Sequence, residues 1–222
     1  MRIIAVGDIH GCRASLEALA DYAEFSPDDT IVTVGDYVDR GPDTKGVIDL
    51  LLAWQRQRRM VCLMGNHEIM MLEARESREA LLFWMAEGVG GEETLQSYGA
   101  ETLDDIPEAH WEFIASGLPY YETDGHIVVH AGLRAPLPLD RQLPQALFWQ
   151  RLEQARPHCS GKTVICGHTS QKNGLPVNLG HTVCIDTWAC GDGWLTALDL
   201  ATGTYWQTNE RGDRRMGDIA EL

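Results

Sequence analysis

Positive charge is scarce in this chain: 18 Lys and Arg stand against 33 Asp and Glu, a net charge of -15. A polynucleotide backbone would repel such a surface, which excludes nucleic acid as a partner. Long apolar runs are missing too. None approaches the roughly 20 residues needed to span a bilayer, so no membrane role is expected. Residues 2–7 (RIIAVG) read at once as a buried strand rather than as a signal peptide. Paired cysteines are absent: Cys12, Cys62, Cys159, Cys166, Cys184 and Cys190 are scattered, with no Cys-x-x-Cys. That argues against redox and zinc-cluster roles and for reduced, mostly buried thiols. The compartment expected from these absences is the cytoplasm. With no repeat, low-complexity tract or convincing linker, the 222 residues read as one domain, 1–222. Oligomeric state leaves no trace in the sequence.

What is present is an alternation of strands and helices, the mark of an α/β fold. Residues 3–6 form a continuous apolar strand, and residues 15–25 place Leu16, Leu19, Ala20 and Ala23 at helical spacing. A second strand covers 31–34. The helix after it carries Val47, Ile48, Leu51 and Leu52 on one face, with Asp43 near its start. A third strand covers 60–64, followed by a helical stretch after His67. The period of about 30 residues is that of a βαβ unit. Residues 75–121 read as a helical cap or insertion, broken at Gly88, Gly90 and Gly91. Strands are then expected over 126–130, 163–166, 181–185, 194–200 and 204–208, with one helix around 145–154.

In open α/β sheets, ligands sit beyond the carboxyl ends of the strands. Five strands in succession end in glycine-flanked Asp, Asn or His: GDIHG (7–11), GDYVDRG (35–41), GNHE (65–68), HAG (130–132) and GHT (167–169). One such end would be ordinary turn chemistry. Taken singly, Asp8 and Asp36 could equally cap a helix, and His130 could be a satisfied core histidine. Five converging on one sheet edge are hard to explain as turns. Asp, Asn and His also make a mixed oxygen and nitrogen donor set, suited to Mn²⁺, Fe or Zn²⁺. A carboxylate has two oxygens, so one Asp can bridge the two ions of a phosphoryl-transfer clamp.

As an ordered set, these motifs resemble those of the PPP-type, calcineurin-like metallophosphoesterases. That family contains serine/threonine protein phosphatases and symmetrical diadenosine tetraphosphate hydrolases. The likeness covers the first 70 residues closely and the rest motif by motif, and is strongest to the short bacterial and phage members. It implies a central β-sandwich flanked by helices, with the active site at strand carboxyl ends. It further implies that Asp8 and His10 bind one divalent ion, that Asn66, His130 and His168 bind a second, and that Asp36 bridges both. His168 is chosen over His181 because it follows an apolar strand, whereas His181 begins one. His110, His126 and His158 lie in no motif.

The resemblance also assigns roles around the metals. His67 would be the general acid, with Asp39 orienting its imidazole and favouring the charged form. Arg40 would grip phosphate oxygens. Arg151, in the stretch LFWQR (147–151), would be a second clamp; its other reading is a solvated helix face. Glu68 follows the family pattern as a structural residue. A metal-bridging hydroxide would attack phosphorus in line, and the cations with two arginines would make the cleft positive despite the acidic surface. The implied activity is a phosphomonoesterase of the serine/threonine protein phosphatase type, acting on phosphorylated protein or small phosphoesters. The closest alternative is diadenosine tetraphosphate hydrolysis, whose enzymes often lack the second acid of GDxxDRG and are usually longer; this chain keeps Asp39. A catalytically inactive scaffold is the third reading, disfavoured because every ligand position is filled. The departure from the family pattern is Trp188 in IDTW (185–188), where bacterial relatives often have glycine. It fits either the rim of the cleft or the core.

Overall fold

The computed structural model describes residues 1–222. The alternation of the first third is there. β1 (Ile3–Val6) leads to α1 (Arg13–Tyr22), β2 (Thr30–Thr33) to α2 (Thr44–Gln55), and β3 (Arg59–Cys62) to α3 (Asn66–Glu76). The three strands pair in parallel, with Ile4 opposite Ile31 and Val32 opposite Val61, so their carboxyl ends share one edge. Asp43 caps α2 by accepting the Gly46 amide at 2.8 Å, satisfying one of the open donors at the helix start.

Helices dominate the next segment: α4 (Arg78–Trp84), α5 (Gly91–Tyr98) and α6 (Glu108–Ala115). Strands then take over. β4 (Tyr120–Glu122) and β5 (His126–Val129) precede α7 (Pro144–Trp149). After it come β6 (Thr163–Cys166), β7 (Val177–Asn178), β8 (Thr182–Cys184) and β9 (Asp186–Thr187). The chain finishes through β10 (Trp194–Asp199), β11 (Thr204–Thr208) and β12 (Arg214–Asp218).

Two sheets result. One runs β12-β11-β10-β1-β2-β3, with β9 paired to β10, and the other runs β4-β5-β6-β8-β7. They pack face to face over Ala5, Val32 and Leu198 from the first and Val128, Ile165 and Val183 from the second. Side chains alternate along a strand. Ile4, Val6 and Ile31 therefore turn the other way, beneath Leu16, Leu19, Val47 and Leu51 of α1 and α2. Ile127, Val129 and Val164 likewise meet Leu147 and Phe148 of α7. This is the expected mixed α/β sandwich flanked by helices. Burial on both faces accounts for the unbroken apolar strands, and each fully buried Ile or Leu contributes about 1.5–3 kcal/mol.

The chain departs from the sequence expectation in places that carry information. The helix expected over 145–154 stops at Trp149. Gln150 leaves helical geometry (ψ 126°) and donates its carboxamide to the Leu133 carbonyl at 3.2 Å. A separate 3-10 turn covers Leu152–Gln154, pinned where the Leu152 amide donates to Thr169 Oγ1 at 3.0 Å. β4, β7, β9 and β12 were not expected; β7 and β9 are two residues long, and β4 and β12 are edge strands whose Tyr- and Arg-rich sequences lack apolar alternation. All six cysteines are free, and Cys12, Cys62, Cys166 and Cys184 are buried. No helix is long and apolar enough to cross a membrane.

Candidate active site

Strand ends deliver the donors. Asp8 and His10 follow β1, Asp36 follows β2, Asn66 and His67 open α3 after β3, and His130 and His168 follow β5 and β6. Asp36 stands in the middle. Its Oδ2 lies 3.5 Å from His10 Nε2, and its Oδ1 lies 3.5 Å from His130 Nε2. Donor atoms of His10, Asp36 and His67 all lie within 4.8 Å of one another, as do those of Asp36, His130 and His168. Two donor groups thus share one carboxylate. Asp8 stands outside the tighter groups, with its Oδ2 accepting the His168 amide at 2.9 Å.

The hydrogen bonds fix which ring nitrogens are open. His10 Nδ1 donates to the Val38 carbonyl at 2.8 Å and His130 Nδ1 to the Val34 carbonyl at 3.0 Å. Carbonyls only accept, so in a neutral ring Nε2 keeps a lone pair. Burial holds both rings neutral, pushing His10 well below its ordinary value and His130 down to about 3. His130 Nε2 then faces Asn66 Oδ1 at 2.9 Å, lone pair toward lone pair. His168 Nδ1 reaches the same oxygen at 2.8 Å, and burial pushes that ring down to about 4.

Asp8 adds an independent sign. Its Oδ1 is buried and has no hydrogen-bond partner, and a Cβ at Gly167 would collide with it. Burial, with Asp186 and Asp36 nearby, raises this carboxyl well above the usual range. An orphaned carboxylate oxygen, crowded acids and facing lone pairs are the groups that divalent cations satisfy. The donor set fits two of them. One contact must yield: Arg40 Nη1 donates to His10 Nε2 at 3.2 Å, the atom a cation would use.

His67 and Asp39 form a buried pair, Nδ1 to Oδ2 at 2.7 Å. Burial opposes charge on both, raising Asp39 and lowering His67 to about 4. Burial thus works against the charged imidazole that the Asp39 contact favours. The helical segment 75–121 completes the pair, which the sequence did not reveal. Asp39 Oδ1 accepts from Thr94 Oγ1 at 2.9 Å and from Trp84 Nε1 at 3.0 Å. Glu68 is structural as expected. It accepts the amides of Gly65, Asp36 and Tyr37 at 2.8, 2.8 and 2.7 Å, tying the ends of β2 and β3 together.

These residues border a cleft of about 420 Å³ that also holds Arg151, placed there by the helix break after Trp149. Arg40, Arg151 and Lys172 line it against a single carboxylate, Asp36. The lining therefore carries more cationic than anionic side chains on an acidic protein. A second hollow of about 410 Å³, near Leu81 and Leu95, is mainly apolar and contains none of these donors. His110 and His158 are buried elsewhere, bonded to Tyr98 and to the Leu137 carbonyl.

The calcineurin-like phosphoesterase family matches residues 1–185. The chain belongs to that family, whose members depend on a dinuclear metal centre. Serine/threonine-protein phosphatase 1 of Salmonella typhimurium is 44% identical over 84 residues, 37% of each chain. A symmetrical bis(5'-nucleosyl)-tetraphosphatase of Pseudomonas syringae is 29% identical over 148 residues, 66% of this chain and 47% of that one. The chain thus matches less than half the length of these curated relatives. Among solved structures, a candidate diadenosine tetraphosphatase superposes with a TM-score of 0.68 at 24% identity, covering 98% of this chain and 93% of that one. A serine/threonine phosphatase from Saccharomyces cerevisiae gives 0.58 at 16% identity, over 90% and 73%. At those identities the superpositions speak for the fold.

Proposed function

We propose that this chain is a dinuclear-metal phosphomonoesterase, a serine/threonine-type protein phosphatase that also accepts small phosphoesters. The observation that carries the reading is Asp36, with one carboxylate oxygen toward His10 and the other toward His130. In this reading Asp8 and His10 hold one ion, Asn66, His130 and His168 hold the other, and Asp36 joins them. The oxygen and nitrogen set suits Mn²⁺, with Fe or Zn²⁺ as alternatives. Bound there, two divalent cations would supply Lewis-acid charge, making water acidic enough to act as nucleophile near neutral pH.

The protein's own groups do the rest. Arg40 and Arg151 hold the phosphoryl oxygens as charge redistributes. Because Asp39 holds His67 through Nδ1, Nε2 is the atom that hands a proton to the leaving oxygen. The incoming phosphate dianion favours the charged imidazole that burial disfavours. Ser170, the hydroxyl-bearing residue in the cleft lining, donates to Asp186 at 2.7 Å, and water rather than a side chain is the proposed nucleophile. Residues 75–121 serve as a cap on a single domain, 1–222, ordering Asp39 through Thr94 and Trp84.

Asp39 favours the monoesterase. Diadenosine tetraphosphate hydrolysis is the second reading, favoured by the longer alignment to the Pseudomonas tetraphosphatases. Comparing phosphoserine, phosphothreonine and phosphotyrosine peptides with diadenosine tetraphosphate in Mn²⁺ decides between them. Higher kcat/KM on a phosphoserine or phosphothreonine peptide is expected; a preference for the dinucleotide reverses the order.

A further inference from the structure

Trp188 lies at the rim, half-buried, lining the same cleft as Arg40, Arg151 and Lys172. Seven non-glycine residues have positive φ. Five are candidate site residues (His10, Asp36, Asp39, Arg40 and His168), Glu24 follows α1, and the seventh is Trp188 at 65°. A bulky residue in left-handed backbone persists only where its surroundings hold it there. Asp186 does so: its buried carboxylate accepts the Trp188 amide at 3.0 Å and the Ser170 hydroxyl at 2.7 Å. The Asp186 carbonyl also accepts the Gln171 amide at 2.9 Å. One residue therefore pins both the Trp188 turn and the loop that carries Lys172. The indole packs on Gly191, where a Cβ would overlap it. Lys172 Nζ sits 5.5 Å from the ring centroid, within cation–π reach. Unlike Lys45 and Lys162, Lys172 enters no ion pair.

We propose that Lys172, positioned by Trp188, is a specificity-determining residue that binds a second phosphate group of the substrate. The inference rests on the phosphoesterase reading above. Two guanidinium forks supply enough paired donors for the oxygens of one phosphoryl group. A third cation, held at the rim with no carboxylate to neutralise it, provides for negative charge further along the substrate. That charge is a phosphate either of a phosphoanhydride chain or of a neighbouring phosphorylated side chain in a peptide.

Kinetics of the wild type, Lys172→Gln and Lys172→Arg in Mn²⁺ test this on four probes. These are p-nitrophenyl phosphate, a singly phosphorylated peptide, the same peptide with two adjacent phosphoserines, and diadenosine tetraphosphate. Lys172→Gln is expected to lower kcat/KM about 10- to 100-fold, mainly through KM, on the probe whose second phosphate it binds, the loss expected for one charge-assisted hydrogen bond. The decrease on p-nitrophenyl phosphate and the singly phosphorylated peptide should stay within about threefold, and Lys172→Arg should recover most of the affinity. Which probe responds separates the peptide source from the anhydride source. Equal losses on all four, or none, overturn the assignment. Trp188→Ala should give a weaker KM defect on the same probe, with Trp188→Phe restoring it; a fall in kcat on every probe would reduce Trp188 to packing. Calorimetric titration with inorganic tripolyphosphate and orthophosphate adds a readout free of turnover. A preference for the chain anion that Lys172→Gln abolishes supports the proposal, and equal affinities contradict it. Inactivity of the wild type on every probe would instead count against the phosphoesterase reading.

Discussion

The floor of the cleft and its rim are built in different ways. On the floor, Asp8, His10, Asp36, Asn66 and His130 are all buried, at strand ends that two packed sheets hold in register. His10 and His130 are each fixed through Nδ1 by a backbone carbonyl. At the rim, Arg40, Arg151 and Lys172 are exposed and come from loops and from a helix break. Rigid, desolvated donors suit ions that need fixed spacing, whereas exposed cations on loops can adjust to a substrate. Asp39 ties the floor to a third region, the helical segment: it is fully buried beside His67, and the equally buried Thr94 and Trp84 orient it.

Substitutions can break this contrast, and the largest effect is expected on the floor. His67→Asn should slow poor leaving groups such as phosphoserine by about 10²–10⁴ in kcat, the usual worth of a general acid. Activated p-nitrophenyl phosphate should suffer far less, and equal losses on both would remove His67 from that role. Thr94→Val tests whether the helical segment reaches the floor. Loss of its bond to Asp39 should cost about 10- to 100-fold in kcat, the range for groups that orient an active residue through hydrogen bonds, with Thr94→Ser restoring most of it. An unchanged pH–rate profile and kcat in Thr94→Val would sever the helical segment from the floor.

The smallest effect lies outside both regions. Asp29 accepts the Arg2 guanidinium at 2.6 Å and the Ser26 amide at 2.9 Å. Burial alone would raise its pKa, but these bonds more than offset that and hold it near 2 instead of the ordinary 3.8. A depressed folded-state pKa stabilises above the unfolded value and is lost as pH falls through about 2. Asp29→Asn should therefore cost about 1–2 kcal/mol in urea unfolding at pH 7 and leave kcat alone. A penalty unchanged down to pH 2 would contradict the ion-pair explanation.

What the sequence showed and what it hid follow from range. Asp8, His10, Asp36, Asn66, His130 and His168 each sit directly after an apolar strand, so a local signal plus the strand-end rule brings them together. Thr94 and Trp84 lie 55 and 45 residues from Asp39, and no local pattern marks them. The glycines that break 75–121 were the only hint that this segment bends back onto the site. Arg151 was chosen on likeness, yet what turns it to the cleft is Gln150 leaving the helix, which the apolar pattern through Leu152 conceals. The burial that opposes charge on His67 was hidden for a similar reason, because a pairwise contact can be read from motifs but full burial cannot. Trp188 was visible as a departure from pattern, and only its positive φ and its place beside Lys172 gave that departure a meaning.

The central claim is that the floor holds two divalent cations through one shared carboxylate. Calorimetric titration of metal-stripped protein with Mn²⁺, with the bound metal counted after dialysis, tests it without reference to turnover. Two ions per chain are predicted for the wild type, and one each for His10→Ala and His130→Ala. Asp36→Asn should weaken both sites by more than about 100-fold, beyond the loss expected for an outer-shell partner. A single ion in the wild type, or two bound undiminished in Asp36→Asn, would contradict the account.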